Sequence, residues 1–255
     1  MDLSEFCDRF DERLRVEDYA DVDAAANGLQ VGPDVATVER AVFAVDAAVE
    51  TIEEAVEAGG DVFVTHHGVS WGGFDRVTGR KYDRIAPLVE NDLALYAVHL
   101  PLDGHVELGN AAGVADVLDL TDRERFAEIG PEHIGLRGRA SEPFTADALR
   151  DRLDDALDTG GRDVQVLDFG PDRIEDVAVV TGSGTDWLNE ADEKGVDALV
   201  TGEGKQKAYH RAREAGITVA LAGHYATETF GVRSLRSVAE EWGLETAYVD
   251  HPTGL

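Results

Sequence analysis

Two stretches of this chain, 136 residues apart, carry the same residues in the same order, and this repetition limits the possible folds more than any other feature. Placing Thr65 on Thr201 also aligns Glu54 with Glu190, Ala55 with Ala191, Asp61 with Asp197, Val64 with Val200 and Gly68 with Gly204, without a gap. In each copy a helical period precedes a short apolar run, Asp61-Val62-Phe63-Val64 in the first and Ala198 to Val200 in the second, which is the pattern of a helix feeding a buried strand. A second offset of 125 places His99 on His224 and Asp103 on Glu228, so a His-x3-acid element follows the next strand in each copy. Strand-helix-strand units resemble one another in general, and that alone accounts for part of the likeness. Read as a duplication, the chain forms an α/β protein of two similar lobes, 1–125 and 126–255. A pseudo-twofold axis relating them would set the histidines and the two carboxylates face to face.

The rest of the chain fits this scheme. Leu3, Phe6, Cys7, Phe10 and Leu14 have the spacing of one helix face. Strands are expected at Val38 to Val45, Leu93 to Val98, Gly135 to Ala140, Asp163 to Phe169, Val177 to Val180, Thr218 to Ala222 and Thr246 to Val249, with helices among them. Between Thr121 and Gly135 polarity rises and the pattern weakens, so the seam between lobes is placed there.

The chemistry concentrates at Thr65-His66-His67-Gly68, where an apolar strand ends. Neighbours on a straight strand face opposite ways, so the two imidazoles converge only if the strand stops there. Gly68 allows the turn by tolerating positive φ. Histidine is the commonest metal ligand, but for an isolated His-His pair at a strand tip ordinary hydrogen bonding is the commoner use. Asp103 lies four residues beyond His99, about 13 Å if the strand stayed straight, and Pro101 and Gly104 predict that it curls. His224 and Glu228 are four apart where a helix begins, hence neighbours. Imidazoles with carboxylates form a mixed nitrogen and oxygen donor set that suits zinc, iron, manganese or nickel better than calcium. Two carboxylates able to bridge make a pair of divalent ions the expected cofactor.

Composition removes other functions. With 52 acidic and 23 basic residues the chain carries a net charge of -29, and its cations are mostly arginine, with lysine only at Lys81, Lys194, Lys205 and Lys207. Such a surface resembles that of proteins from salt-loving archaea, where molar salt shortens the screening length to about 3 Å. It leaves no clustered lysines for a nucleic-acid groove. With 43% hydrophobic residues in regular periods the chain folds despite its charge. Cys7 is the only cysteine, which excludes intrachain disulfides and cysteine-cluster metal sites. No apolar segment of about 18 residues and no leader is evident, so a soluble cytoplasmic protein without membrane association is expected. Arg80, Lys81, Lys205 and Lys207 are candidate phosphate contacts and Trp71 and Tyr225 candidate stacking residues, although solvated cations and packed aromatics are the commoner uses.

Asn27-Gly28-Leu29-Gln30-Val31-Gly32, Thr65-His66-His67-Gly68, His99 with Asp103, Gly202-Glu203 and Gly223-His224-Tyr225-Ala226-Thr227-Glu228 occur in an order that resembles the NGG-one-interacting-factor-three-like family over nearly the whole chain. That family is commonly labelled dinuclear metal centre protein or GTP cyclohydrolase I type 2 homologue. The resemblance implies two α/β lobes, a two-metal site between them and a ring-shaped homohexamer. It assigns metal ligation to His66, His67, Asp103, His224 and Glu228, and it puts His99 and Glu203 at further polar positions, as acid/base or supporting groups. Gly68 stands where the family often has proline, and Leu100-Pro101-Leu102 replaces a more polar stretch. The activity so implied is hydrolysis of a nucleotide or related small molecule through metal-bound hydroxide; the competing expectation is a non-catalytic metal-carrying or protein-interaction module.

Overall fold

The computed structural model describes residues 1–33 and 35–255. The strands, in chain order, are β1 (Gly28–Val31), β2 (Arg40–Asp46), β3 (Val62–His67), β4 (Ala94–Ala97), β5 (Leu120–Ile129), β6 (Glu132–Phe144), β7 (Gln165–Leu167), β8 (Ile174–Val179), β9 (Ala198–Thr201), β10 (Thr218–Leu221) and β11 (Glu245–Tyr248). The helices are α1 (Leu3–Leu14), α2 (Val49–Glu57), α3 (Arg80–Glu90), α4 (Leu100–Asp103), α5 (Asn110–Val117), α6 (Ala146–Ala156), α7 (Leu188–Glu193), α8 (Gln206–Ala215), α9 (His224–Thr227) and α10 (Thr229–Glu241). No helix among the described residues is long and apolar enough to cross a membrane.

These elements form two compact units, one of Met1–Leu102 with Gly231–His251, the other of Asp103–Phe230 with Pro252–Leu255. The expected division at 125 is therefore corrected, since that position lies inside β5 and the first unit recovers a C-terminal segment. The reason is hydrogen bonding: β11 pairs in parallel with β2, Glu245 opposite Arg40, and so returns to the first sheet. The expected seam at 121–135 is instead a β5-β6 hairpin turning at Gly130 (φ 59°). Its polar character comes from the exposed residues Thr121 to Arg125, and a register irregularity between Thr121 and Glu124 hides the alternation that would have marked a strand.

Within the first unit the sheet order is β1-β4-β3-β2-β11. Ala41 to Val45 and Val62 to Val64 are buried without a break, because parallel strands covered on both faces have no solvent side. On one face Val42, Ala44, Phe63 and Leu95 pack with Ile52, Ala55 and Leu88 of α2 and α3. On the other, Tyr96 meets the apolar stripe of α1, its ring 6.3 Å from Phe6 and 5.8 Å from Phe10, and Phe10 lies 4.6 Å from Trp242. The second sheet has the order β5-β6-β8-β9-β10-β7, over a core that includes Leu149, Leu153, Val177, Val179, Val200 and Ala220.

The duplication is visible in the hydrogen bonds of each unit taken separately. Asp61 Oδ2 accepts the backbone N–H of Glu39 and Arg40, both at 2.8 Å, and Asp197 Oδ2 accepts those of Glu175 and Asp176, both at 2.9 Å. All three pairs of counterparts are 136 apart. Ala41 faces Val62 as Val177 faces Ala198, and an antiparallel edge strand, β1 or β7, closes each parallel trio. The second offset needs correcting. Val62 pairs with Ala94 and Ala198 with Thr218, so the third strands correspond with a shift of 124, not 125. His99 thus matches Gly223, and His224 lies one residue further, as the first residue of α9. The two His-x3-acid elements are alike in sequence but sit on different local frames.

Candidate metal centre

The candidate residues gather at the C-terminal ends of parallel strands, His66 and His67 closing β3, His99 following β4, Glu203 following β9 and His224 following β10. In the first unit the expected convergence of His66 and His67 is found: they are the last two residues of β3, with ring centroids 4.7 Å apart. His66 leans towards β4, where its Nδ1 lies 3.0 Å from the Val98 carbonyl oxygen. His67 leans towards β2, where its Nδ1 lies 2.8 Å from Asp46 Oδ1. His99 joins them, its ring 5.1 Å from His66 and 5.7 Å from His67, and its Nδ1 is 2.9 Å from Asp23 Oδ1.

A carbonyl or carboxylate oxygen can only accept, so each Nδ1 must donate, and the neutral ring then carries its lone pair on Nε2. One ring nitrogen from each of the three histidines lies within 4.8 Å of the others. A metal-ligating histidine characteristically has its second nitrogen donating to a carboxylate or backbone carbonyl, which fixes tautomer and ring angle. The set therefore fits a divalent cation on donor chemistry and orientation. His99 has the same arrangement as the pair, which makes it a donor candidate in its own right.

The surrounding loops explain the motifs. Asn27 donates through Nδ2 to Asp23 Oδ2 and accepts the His99 N–H at 2.7 Å, so one amide holds both the carboxylate and the histidine backbone. Although burial by itself raises the Asp23 pKa, hydrogen bonds from His99, Asn27 and the Ala25 N–H hold it below the usual carboxylate value. Gln30 Oε1 accepts from Val69 N–H and Ser70 N–H, at 2.8 and 3.1 Å, clamping the turn beyond the histidines. Gly68 is required for a reason other than the one expected. Its φ is not positive; rather, a Cβ there would stand 2.5 Å from Gln30 Nε2 and 2.6 Å from Ala97 Cβ.

The second unit supplies a different donor set. Asp103, at the end of the one-turn helix α4 that provides the expected curl, is buried and accepts from Asn110 Nδ2 at 2.8 Å and Thr181 Oγ1 at 3.1 Å. A carboxylate oxygen of Asp103 lies within 4.8 Å of one of Glu228, which is 2% exposed. His224 Nε2 is 3.2 Å from Glu228 Oε1, as the four-residue spacing predicts, and its Nδ1 is 3.3 Å from Glu203 Oε1. Gly182 leaves room for this cluster: a Cβ on it would lie 2.5 Å from Glu228 Oε1 and 3.1 Å from His224 Nε2. Hydrogen bonding to Glu228, against burial and with help from Glu203, raises the His224 pKa to about 9. An environment that favours a proton on imidazole favours positive charge, so protons and a divalent ion compete for it. Glu203, exposed and hydrogen-bonded to Ser183 Oγ, is held below the usual carboxylate pKa first by that bond, against burial, and then by His224.

Asp23 and Asp46 were not found by sequence reasoning. Asp46 had one available signal, an acid at the C-terminal tip of an apolar strand next to the histidine strand. Asp23 lies in a polar segment and had none. Of the candidate phosphate contacts, Lys205 and Lys207 are both engaged by Asp186, and of the candidate stacking residues Tyr225 is buried.

The model of the family described as Duf34/NIF3 (NGG1p interacting factor 3) matches residues 1–253. A Halobacterium salinarum protein named "GTP cyclohydrolase 1 type 2 homolog" is 64% identical over 255 residues, with both chains fully covered. Among solved structures, TTHA1606 from Thermus thermophilus superposes with a TM-score of 0.89 at 38% identity, and protein ybgI, titled as of unknown function, with 0.91 at 34%, each covering 100% of both chains. Matched end to end at these identities, the chain belongs to the Duf34/NIF3 family.

Proposed function

We propose that this protein is a metal-dependent hydrolase of small molecules that binds divalent ions, with His66, His67 and His99 as the donors of the first unit and Asp103, His224 and Glu228 as those of the second. The observation that carries the reading is the arrangement of the three imidazoles, each with Nδ1 on an oxygen and one ring nitrogen of each within 4.8 Å of the others. When bound, such ions supply Lewis acidity and lower the pKa of coordinated water towards about 7.

The chain's own residues do the rest. Asp46, Asp23 and the Val98 carbonyl keep the rings in one tautomer and one angle, so no reorientation is needed on binding. Asn110 and Thr181 hold the Asp103 carboxylate through one oxygen. Glu203 is ionised at neutral pH and solvent-accessible, and serves as the proton acceptor; Ser183 fixes its position. The name carried by the relatives points to a nucleotide-like substrate, with attack at a C–N or P–O centre.

The test is elemental analysis of the purified protein, followed by a hydrolase substrate screen with the metal so found. A content of about two ions per chain is expected, as in two-metal hydrolytic sites, together with turnover of at least one substrate. His67→Ala and Glu228→Gln should each lower both. Unchanged metal content in the two variants would refute the site, and full metal without turnover of any substrate would leave a metal-carrying module instead.

A further inference from the structure

In a chain of net charge -29, the exposed segment 71–84 carries Arg76, Arg80, Lys81 and Arg84 against only Asp75 and Asp83. None of these four forms an ion pair with a carboxylate among the described residues. Lysines elsewhere are neutralised: Lys194 by Glu190, and Lys205 and Lys207 by Asp186. Arg13, Arg173, Arg211 and Arg213 also lack an ion pair among the described residues, but Arg76, Arg80, Lys81 and Arg84 fall in one short segment, where they repel one another while carboxylates are abundant. An anion from outside the chain would relieve that repulsion.

Arg80, Lys81 and Arg84 line a cavity of about 310 Å³ in the first unit, together with Trp71, Phe74 and the apolar floor at Val69. That volume is at the lower end of the roughly 300–1,000 Å³ of small-molecule sites. Trp71 is 47% and Phe74 36% exposed, so each presents ring surface that the chain does not cover. Trp71 is nevertheless held in place: Gly72 N–H donates to Ala24 O at 2.7 Å and Ala26 N–H to Ser70 O at 3.1 Å, on either side of it. The Trp71 ring stands 5.0 Å from that of His99 and 5.9 Å from that of His67, so the cavity adjoins the imidazole cluster of the same unit. Lys81 Nζ sits 5.0 Å from the Phe74 ring centroid, joining the cationic and aromatic walls.

We infer that this cavity is a recognition site for a phosphorylated ligand bearing a planar ring. The ring lies against Trp71 and Phe74, and the phosphate is held by Arg80, Lys81 and Arg84. Guanidinium groups bind phosphate through paired charge-assisted hydrogen bonds, while a ring system gains by stacking on the aromatic faces. A bare apolar ligand would leave the cations unsatisfied, and a bare anion would leave the aromatic wall in water. As the substrate subsite of the hydrolase the cavity rests on the function proposed above, but binding itself is tested independently.

Calorimetric titration of the full-length, metal-containing protein with GTP, guanosine and inorganic tripolyphosphate, at low and at molar salt, separates the two walls. Arg80→Ala/Arg84→Ala should weaken GTP and tripolyphosphate by about tenfold or more, equivalent to at least 1.4 kcal/mol, and leave guanosine nearly unaffected. Trp71→Ala should weaken GTP and guanosine but not tripolyphosphate. Metal content, read on the same samples, should stay at the wild-type level. Failure of GTP to bind the wild-type protein, or equal GTP affinity in wild type and both variants, overturns the proposal, because any remaining binding then belongs to the ions. Absence of metal from a wild-type protein that still binds GTP through these residues would overturn the hydrolase reading and leave this one standing.

Discussion

Two of the three imidazoles are presented by carboxylates one step behind them, His67 by Asp46 and His99 by Asp23. Asp46 meets His67 at 2.8 Å and, by the 136-residue correspondence, occupies the position that Gly182 holds in the second unit, where a glycine makes room for Glu228. The same strand tip thus orients a histidine in one unit and accommodates an acid in the other. Asp46→Ala is expected to lower metal affinity by about 10–100-fold with little change in thermal stability, measured by competition with a chelator; equal affinity would show that Asp46 does not position His67. Gly68→Ala forces a methyl group onto Gln30 and Ala97, and a loss of about 1–3 kcal/mol is expected for such overpacking, read from denaturant unfolding. Cys7 offers a pH test. Burial first, then Asp11 and Asp8, raise its pKa from 9.0 to about 12. A folded-state value above the unfolded one means that the contribution is complete below pH 9 and lost as pH rises towards 12. The stability difference between wild type and Cys7→Ala should therefore shift against the wild type across that window, and a constant difference would contradict the assignment.

Among the elements, the parallel strands β2, β3 and β4 and their counterparts β8, β9 and β10 carry the duplication. Each trio is tied at its N-terminal end by one aspartate that accepts two successive backbone N–H groups. Removing that acceptor leaves two backbone donors to find water at a strand start, so Asp61→Ala and Asp197→Ala should each cost about 1–3 kcal/mol. Similar losses in the two variants are expected; a large loss in one and none in the other would show that the equivalence is one of sequence only. The strands of these trios were legible because buried parallel strands are nearly uninterrupted apolar runs. The β5-β6 hairpin was not, since Thr121 to Arg125 face solvent and the bulge shifts their phase. Strand pairing also fixed the 124-residue register, which identity counting missed because a His-x3-acid match outweighed one residue of displacement.

For the molecule as a whole, the charge of -29 is the dominant long-range term. Self-repulsion among 52 carboxylates against 23 cations opposes the compact state, and salt screens it, the screening length falling from about 10 Å at 0.1 M to about 3 Å at 1 M. The midpoint of thermal unfolding is therefore expected to rise steadily from dilute buffer to molar potassium chloride; a flat response would show that the acids are compensated locally. Surface pairs such as Arg9–Glu5 and Arg236–Glu240 are one helical turn apart and exposed, so they contribute little to that balance.

The sequence alone determined that the chain is a doubled α/β protein and singled out the histidines and acids that it offers as candidate metal donors, because apolar periodicity and repeated residues are local properties of a chain. Tertiary structure decided which oxygen holds each ring, why residue 68 is glycine, which cations keep an open face, and that Gly231–His251 belongs with the N-terminal unit. Each of these depends on atoms brought together across dozens to hundreds of residues, and a distance between such atoms leaves no periodicity in the sequence by which it could be read.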